Sequence, residues 1–260
     1  MGNGELNDMK WADLKKAYDI RAFKYEGAKY LQADRKHRVI LDAVQKCVCR
    51  TKAKRVADAG CGNGIYIRHL ASSDHRPALF GFDFSENIVR ITRANTGEKR
   101  VAVGNLEETP YKSESFDVVL CAQVIEHMLD EAKAMRELSR VLHRNGCLVI
   151  ATDNRDNTVS KAFHAPLKPF QLLAGLMRPA ENPEKYFPHK EYSIAEFEKL
   201  VGSAGFIIES IITYRFSPPP PFTRFALAKS AMTLLEGITS KLNLFPTKGD
   251  IILAVCRKKW

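Results

Sequence analysis

The chain has 260 residues, of which 45% are hydrophobic and 27% charged. That is the composition of a globular protein long enough for one large domain with insertions. No uncharged apolar run reaches the ~18 residues of a membrane span, and Met1 to Lys10 are polar and do not form a signal peptide, so a cytoplasmic protein is expected. The net charge of +10 would concentrate anionic partners at the surface. Charge alone does not choose between nucleic acid, an acidic metabolite and an anionic membrane, and no arginine-rich tract or RNA-binding motif is present. Cys47, Cys49, Cys61, Cys121, Cys147 and Cys256 are scattered without C-x-x-C pairs. Buried reduced thiols are expected, with neither a disulfide framework nor a zinc site.

In chain order, residues 11–50 read as helical, with Leu14, Ala17 and Tyr18 spaced three and four apart. Val56 to Ala59 form an apolar strand that breaks into Gly60-Cys61-Gly62-Asn63-Gly64 and then opens a helix from Ile65 to Leu70. Glycines let a ligand lie against the backbone. The free N–H groups of the following helix favour an anionic group such as a carboxylate. About 20 residues on, the strand Ala78 to Phe82 ends on Asp83, an acid suited to the two hydroxyls of a ribose. The dinucleotide pattern G-x-G-x-x-G is not met, because the third glycine falls one place early, at Gly64. Asp58, two residues before the first glycine, would repel a pyrophosphate and attract an ammonium group. Ribose, ammonium and carboxylate without phosphate describe S-adenosylmethionine better than NAD.

Ser85 caps a helix over 85–95, Val101 onward forms a third strand with its exit loop, and Phe116 to Cys121 form a fourth. Asp130 opens a helix over 130–143 that Asn145-Gly146 ends, and Cys147 to Thr152 form the fifth strand. Residues 153–190, rich in proline and bulky apolar residues, break the alternation. Ser193, with Glu196 in the capping-box position, starts a helix to about Ser203. Phe206 to Thr213 form a sixth strand and Asp250 to Arg257 a final one. Between these strands, Ser217 to Pro221 form a stiff polyproline link. Phe222 to Phe245 is a charged amphipathic helical segment, expected to pack on the domain or a twin subunit, with contact to a lipid surface as the alternative. This is an α/β chain with a mostly parallel sheet of seven strands, helices on both faces. Ligands in such sheets bind beyond the carboxyl ends of the strands, where Gly60, Asp83, Asn105 and Gln123 fall.

From about Tyr18 to Gly205 the chain resembles the class I S-adenosylmethionine-dependent methyltransferases, of the small "type 11" kind that includes the ubiquinone-biosynthesis enzymes. The resemblance rests on Asp58 to Gly64, Asp83, the stretch Val101 to Pro110 and the strand-end segment Ala122-Gln123-Val124-Ile125-Glu126-His127. It implies a Rossmann-like fold with the last strand antiparallel at the sheet edge. Residues 1–50 would form an N-terminal helical lid and 51–260 the methyltransferase domain, with a cap insertion at 153–192 and a helical insertion at 217–248. It also implies a cofactor site of Asp58, Ala59, Gly60, Cys61, Gly62 and Gly64 around the methionine part, with Asp83 on the ribose and Phe84 near the adenine. Asn105 and Leu106 would face the adenine, and Gln123 would close the site. Asn105 departs from the family's usual acid but keeps an acceptor oxygen. S-adenosylhomocysteine would be the product.

A sulfonium methyl is already activated, so in-line alignment of the acceptor does most of the work. His127 is the candidate general base where the acceptor must lose a proton. Tyr18, Tyr25, His164 and His189 are the substrate-side candidates. Some relatives hold a divalent metal on two acids and the histidine of the strand-end segment; Gln123 departs from that pattern, and no metal is expected. The segment also lacks the Asn/Asp-Pro-Pro-aromatic motif of nucleobase-amine methylation. A small, partly apolar organic acceptor methylated on O, N or C is the first expectation. An RNA methyltransferase and a non-catalytic cofactor-binding scaffold are the alternatives.

Overall fold

A computed structural model describes residues 15, 18, 19, 35–73, 75–157, 189–214 and 249–259. In chain order these form α1 (Arg35–Thr51), β1 (Arg55–Ala59), α2 (Ile65–Ala71), β2 (Ala78–Asp83), α3 (Glu86–Thr96) and β3 (Val101–Val103). They continue with β4 (Phe116–Ala122), a 3-10 turn (Ile125–His127), α4 (Glu131–Val141), β5 (Leu142–Asp153), α5 (Ile194–Ser203), β6 (Phe206–Tyr214) and β7 (Ile251–Lys258).

The seven strands form one sheet in the order β3-β2-β1-β4-β5-β7-β6. The first five are mutually parallel, and β7 runs antiparallel to both of its neighbours. The antiparallel last strand matches expectation, but its place at the edge does not: β7 inserts between β5 and β6, and β6 is the edge. The cause lies in burial. Residues of β7 such as Ile251, Ile252 and Ala254 are fully buried, whereas β6 leaves Ile207 and Ile212 exposed on one face.

Strand alternation separates two cores. Val118 and Leu120 of β4 pack with Ile40, Val44, Ile67 and Leu70 of α1 and α2. Val119 and Cys121 pack on the opposite face with Met135, Leu138, Phe197 and Val201 of α4 and α5. Both faces are therefore covered, which is why the central strands read as continuous apolar runs.

The helix starts follow local chemistry. The side chains of Ser85 and Asp130 accept from the N–H of Ile88 and Lys133, and Ser193 with Glu196 completes a capping box. Asn145-Gly146 behaves otherwise than expected. Asn145 does adopt φ 60°, but α4 has already ended at Val141 and the pair lies inside the irregular start of β5. The cause is register: Phe116 pairs with Leu142 and Val118 with Cys147, so the extra residues bulge out. A second correction concerns Cys47 and Cys147, which form a disulfide (Cα–Cα 6.2 Å) tying α1 to β5 across a separation of 100 residues. Cys61, Cys121 and Cys256 are buried free thiols, as expected, and Cys49 is exposed. Spacing along the chain carries no signal for a pair brought together only by packing of a helix on a sheet. No helix among the described residues is long and apolar enough to cross a membrane.

Candidate active site

Register brings the functional residues to one edge. Ala59 lies opposite Phe82 on one side and Cys121 on the other, and Ala122 opposite Ala151. The loops after β1, β2, β3, β4 and β5 therefore open side by side. Strand order reverses between β1 and β4, where a crevice is expected. A crevice of about 650 Å³ lies there, within the range of small-ligand sites. Of the residues singled out in the sequence, Gly60, Cys61, Gly62, Asp83, Phe84, Asn105, Leu106, Gln123, His127, His189 and Tyr18 all line it. Tyr25 and His164 lie outside the described residues, as do 158–188 and 215–248.

Three of the expected cofactor residues, Asp58, Ala59 and Gly64, do not line the crevice. Ala59 sits in the α4-side core. Gly64 serves packing: a Cβ there would lie 2.6 Å from Thr96 Cγ2 and 2.9 Å from Thr92 Cγ2. Asp58 is buried beneath the loop, and neither carboxylate oxygen has a hydrogen-bond partner among the described residues. Burial first, and then the neighbouring Asp83 charge, push its carboxyl up to about 8. The loop's N–H groups are also engaged differently from expectation. Those of Gly60 and Cys61 donate to Phe82 O (2.8 and 3.0 Å), Gly62 N to Asp83 Oδ2 (3.1 Å) and Ile65 N to Asn63 Oδ1 (3.3 Å). The Gly62 backbone itself stays accessible, since a Cβ there would meet no protein atom within 4 Å.

Asp83 accepts from Gly62 N and Ser85 N (3.1 Å each), which binds the β2 tip to the glycine loop. Burial raises its carboxyl to about 6, against the pull of those N–H groups. Asn105 lines the crevice, but its side-chain oxygen already accepts from Glu107 N at 2.9 Å, closing a local turn. That oxygen keeps one further acceptor position for an adenine amino group.

The far end of the crevice holds a polar network that sequence reasoning missed. Gln123, at φ 58°, accepts from Lys36 Nζ and donates to Glu126 Oε1 (2.9 Å) and Asp153 Oδ1 (3.0 Å). Glu126 also accepts from Thr152 Oγ1 (2.9 Å), and Asp153 from His189 Nε2 (3.1 Å). Burial, then the Asp153 charge, raises Glu126 to about 7. Burial would raise Asp153 too, but His189, Gln123 and the Lys36 charge outweigh it and hold it below its ordinary value. The Asp153 hydrogen bond raises His189. The His127 ring packs 5.3 Å from His189 and 6.2 Å from Tyr18. Asp153, at the tip of β5, could have been found by the strand-end rule that found Gln123. Lys36 carried no local signal.

These residues suit S-adenosylmethionine and not a diphosphate. Two raised carboxyls at the loop disfavour added negative charge, while an ammonium group in the crevice would favour the ionised form of Asp58 beneath the loop by its charge. The seven-stranded sheet with its crevice at the strand reversal is a Rossmann-like fold similar to that of S-adenosylmethionine-dependent methyltransferases. Residues 57–150 match the family model described as "Methyltransferase domain". A Mycobacterium tuberculosis protein named "Probable S-adenosylmethionine-dependent methyltransferase" is 37% identical over 66% of this chain and 55% of its own length. The "Ubiquinone biosynthesis O-methyltransferase" of Azorhizobium caulinodans is 29% identical over 64% of each chain. The chain spans about 55 to 64% of the length of these relatives. In fold it is similar to the methyltransferase of a Haloferax volcanii complex with the Trm112 methyltransferase activator, with a TM-score of 0.61, 18% identity, and 95% of this chain and 97% of that one covered.

The orphaned Asp58 makes a specific prediction. Its folded value lies above its unfolded one, so the folded state keeps a proton that the unfolded chain releases near pH 4. Stability should therefore fall as pH rises from about 4 to about 8. An ammonium ligand that ionises Asp58 should release close to one proton on binding at pH 7. Calorimetric titration with S-adenosylhomocysteine in buffers of different ionisation enthalpy reads that number, which should drop towards zero in Asp58→Asn.

Proposed function

We propose that this protein transfers the methyl group of S-adenosylmethionine to O, N or C of a small, partly apolar organic acceptor by in-line displacement. The observation that carries the reading is the alignment, in one crevice, of the ribose-ready Asp83, the open Gly62 backbone and the Gln123 network, in that order across the strand tips. When bound, the cofactor supplies an electrophilic sulfonium methyl. The chain binds its sugar through Asp83, balances its ammonium through Asp58, and flanks its base with Phe84, Leu106 and Asn105.

Lys15, Tyr18 and Asp19 support the reading of a lid over the crevice, but α1, the rest of the expected 1–50 lid that is described, packs in the sheet core instead. Ser85 Oγ donates to Asp19 Oδ1, and Lys15 pairs with Glu86 at 2.6 Å, so this segment is held across the start of α3 with Tyr18 in the crevice. Asp153 and His189, on the described flanks of the expected cap insertion, line the same crevice. Tyr192 N donates to Asp153 O (3.1 Å) and Lys190 N to Glu126 O (3.0 Å), which supports the reading of 153–192 as a cap.

His127 takes the proton where the acceptor must lose one. His127→Ala should lower kcat by about a hundredfold or more on such an acceptor, with cofactor affinity unchanged. The experiment is a screen of candidate metabolites with methyl-labelled cofactor, after calorimetry has established cofactor binding. Retained turnover by His127→Ala would end its role as base. Failure of S-adenosylmethionine and S-adenosylhomocysteine to bind would end the whole reading.

A further inference from the structure

The polar end of the crevice is unevenly provided. Its acids are already engaged by protein donors: both Asp153 oxygens, by Gln123 and His189, and both Glu126 oxygens, by Gln123 and Thr152. Gln123 has placed both amide hydrogens on those acids. His189 differs. Its Nε2 is held by Asp153, its side chain is 46% exposed and lines the crevice, and Nδ1 has no partner among the described residues. The hydrogen bond to Asp153 shifts the imidazole towards its doubly protonated form, in which Nδ1 is a charged N–H donor with no lone pair to offer.

We propose that His189 is the recognition donor for an ionised carboxylate on the methyl acceptor, with Asp153 as the positioning residue that holds the ring and its charge. This rests on the methyltransferase reading above and narrows the acceptor class from any small organic molecule to a carboxylate-bearing one. A charge-assisted hydrogen bond in a partly desolvated crevice discriminates strongly against a neutral analogue, because the donor would be left with a weaker partner.

The groups facing His189 are Asp153 from β5, Glu126 and His127 from the 3-10 turn, Gln123 after β4, Glu191 on its own segment, and Lys36 of α1, whose charge acts on Asp153. Glu126 titrates near 7 and would repel an anion once ionised, so the comparison must separate it from His189. The test uses the full chain saturated with S-adenosylhomocysteine, with benzoate and its neutral isostere benzamide as probes, titrated by calorimetry between pH 6 and 9. Benzoate should bind at least tenfold tighter than benzamide at pH 6, and should lose at least tenfold by pH 9. His189→Gln should abolish the preference and keep only the pH dependence due to Glu126. Asp153→Asn should move the His189 midpoint, read by NMR of its ring, to lower pH. Equal binding of the two probes, or an unchanged preference in His189→Gln, overturns the proposal. Should the homocysteine product fail to bind in its own titration, the methyltransferase reading fails. The same probe pair run on the unloaded chain still decides the role of His189.

Discussion

Asp83→Ala should weaken S-adenosylmethionine binding between tenfold and several hundredfold. Asp83 already accepts the Gly62 N–H on one oxygen and the Ser85 N–H on the other, and the Phe84 N–H also supports its charge. A ribose hydroxyl would use acceptor capacity that the carboxylate still has. A hydrogen bond to a charged group contributes about 1.5–3 kcal/mol, so losing even one gives the lower bound. The substitution also strands two N–H groups and frees the glycine loop from the tip of β2. Asp83→Asn retains the shape and separates the two effects. Calorimetry gives the affinity, and thermal melting shows whether the loop has loosened. Because burial lifts this carboxyl to about 6, and the ionised form is the better acceptor, affinity should also decline as pH falls through 6. An unchanged affinity in Asp83→Ala would remove this residue from the site.

Gly60→Ala should cost about 2–5 kcal/mol of stability. Two effects add. At φ 75° the residue sits in the left-handed region, where a Cβ costs roughly 1–2 kcal/mol. That Cβ would also stand 2.4 Å from Val124 Cγ2, and overpacking of this kind costs typically about 1–3 kcal/mol. Val124→Ala in the same chain should recover the steric part and leave the backbone part, so a double-mutant cycle by chemical denaturation should show strong coupling. Gly62→Ala is the contrast. It shares a positive φ of 52° but meets nothing within 4 Å, so about 1–2 kcal/mol is expected, together with weaker cofactor binding as the methyl enters the crevice. Equal destabilisation by the two substitutions would contradict this assignment of roles.

The three glycines of one loop thus do three different things, although the motif alone presents them as equivalent. Gly62 opens on the crevice, Gly60 admits Val124, and Gly64 admits the threonines of α3. A spacing pattern records that a Cβ is unwelcome without recording what would collide with it.

Much of this protein was legible in one dimension. Apolar runs ending at Ala59, Asp83 and Ala122 mark strands buried on both faces, and Ser85, Asp130 and Ser193 mark helix starts, because each cap contacts an N–H only three residues on. The alternation of those elements forced a parallel sheet, and parallel strands put their carboxyl ends together, so the position of the crevice was implied as well. What remained hidden involves partners distant along the chain. The insertion of β7 inside β6, the joining of Cys47 to Cys147, the burial of Asp58, and the convergence of Lys36, Gln123, Asp153 and His189 all depend on which surfaces meet after packing. Local periodicity reports the conformation of a segment and the face it hides. It does not report what lies against that face, and there the chemistry of the acceptor is decided.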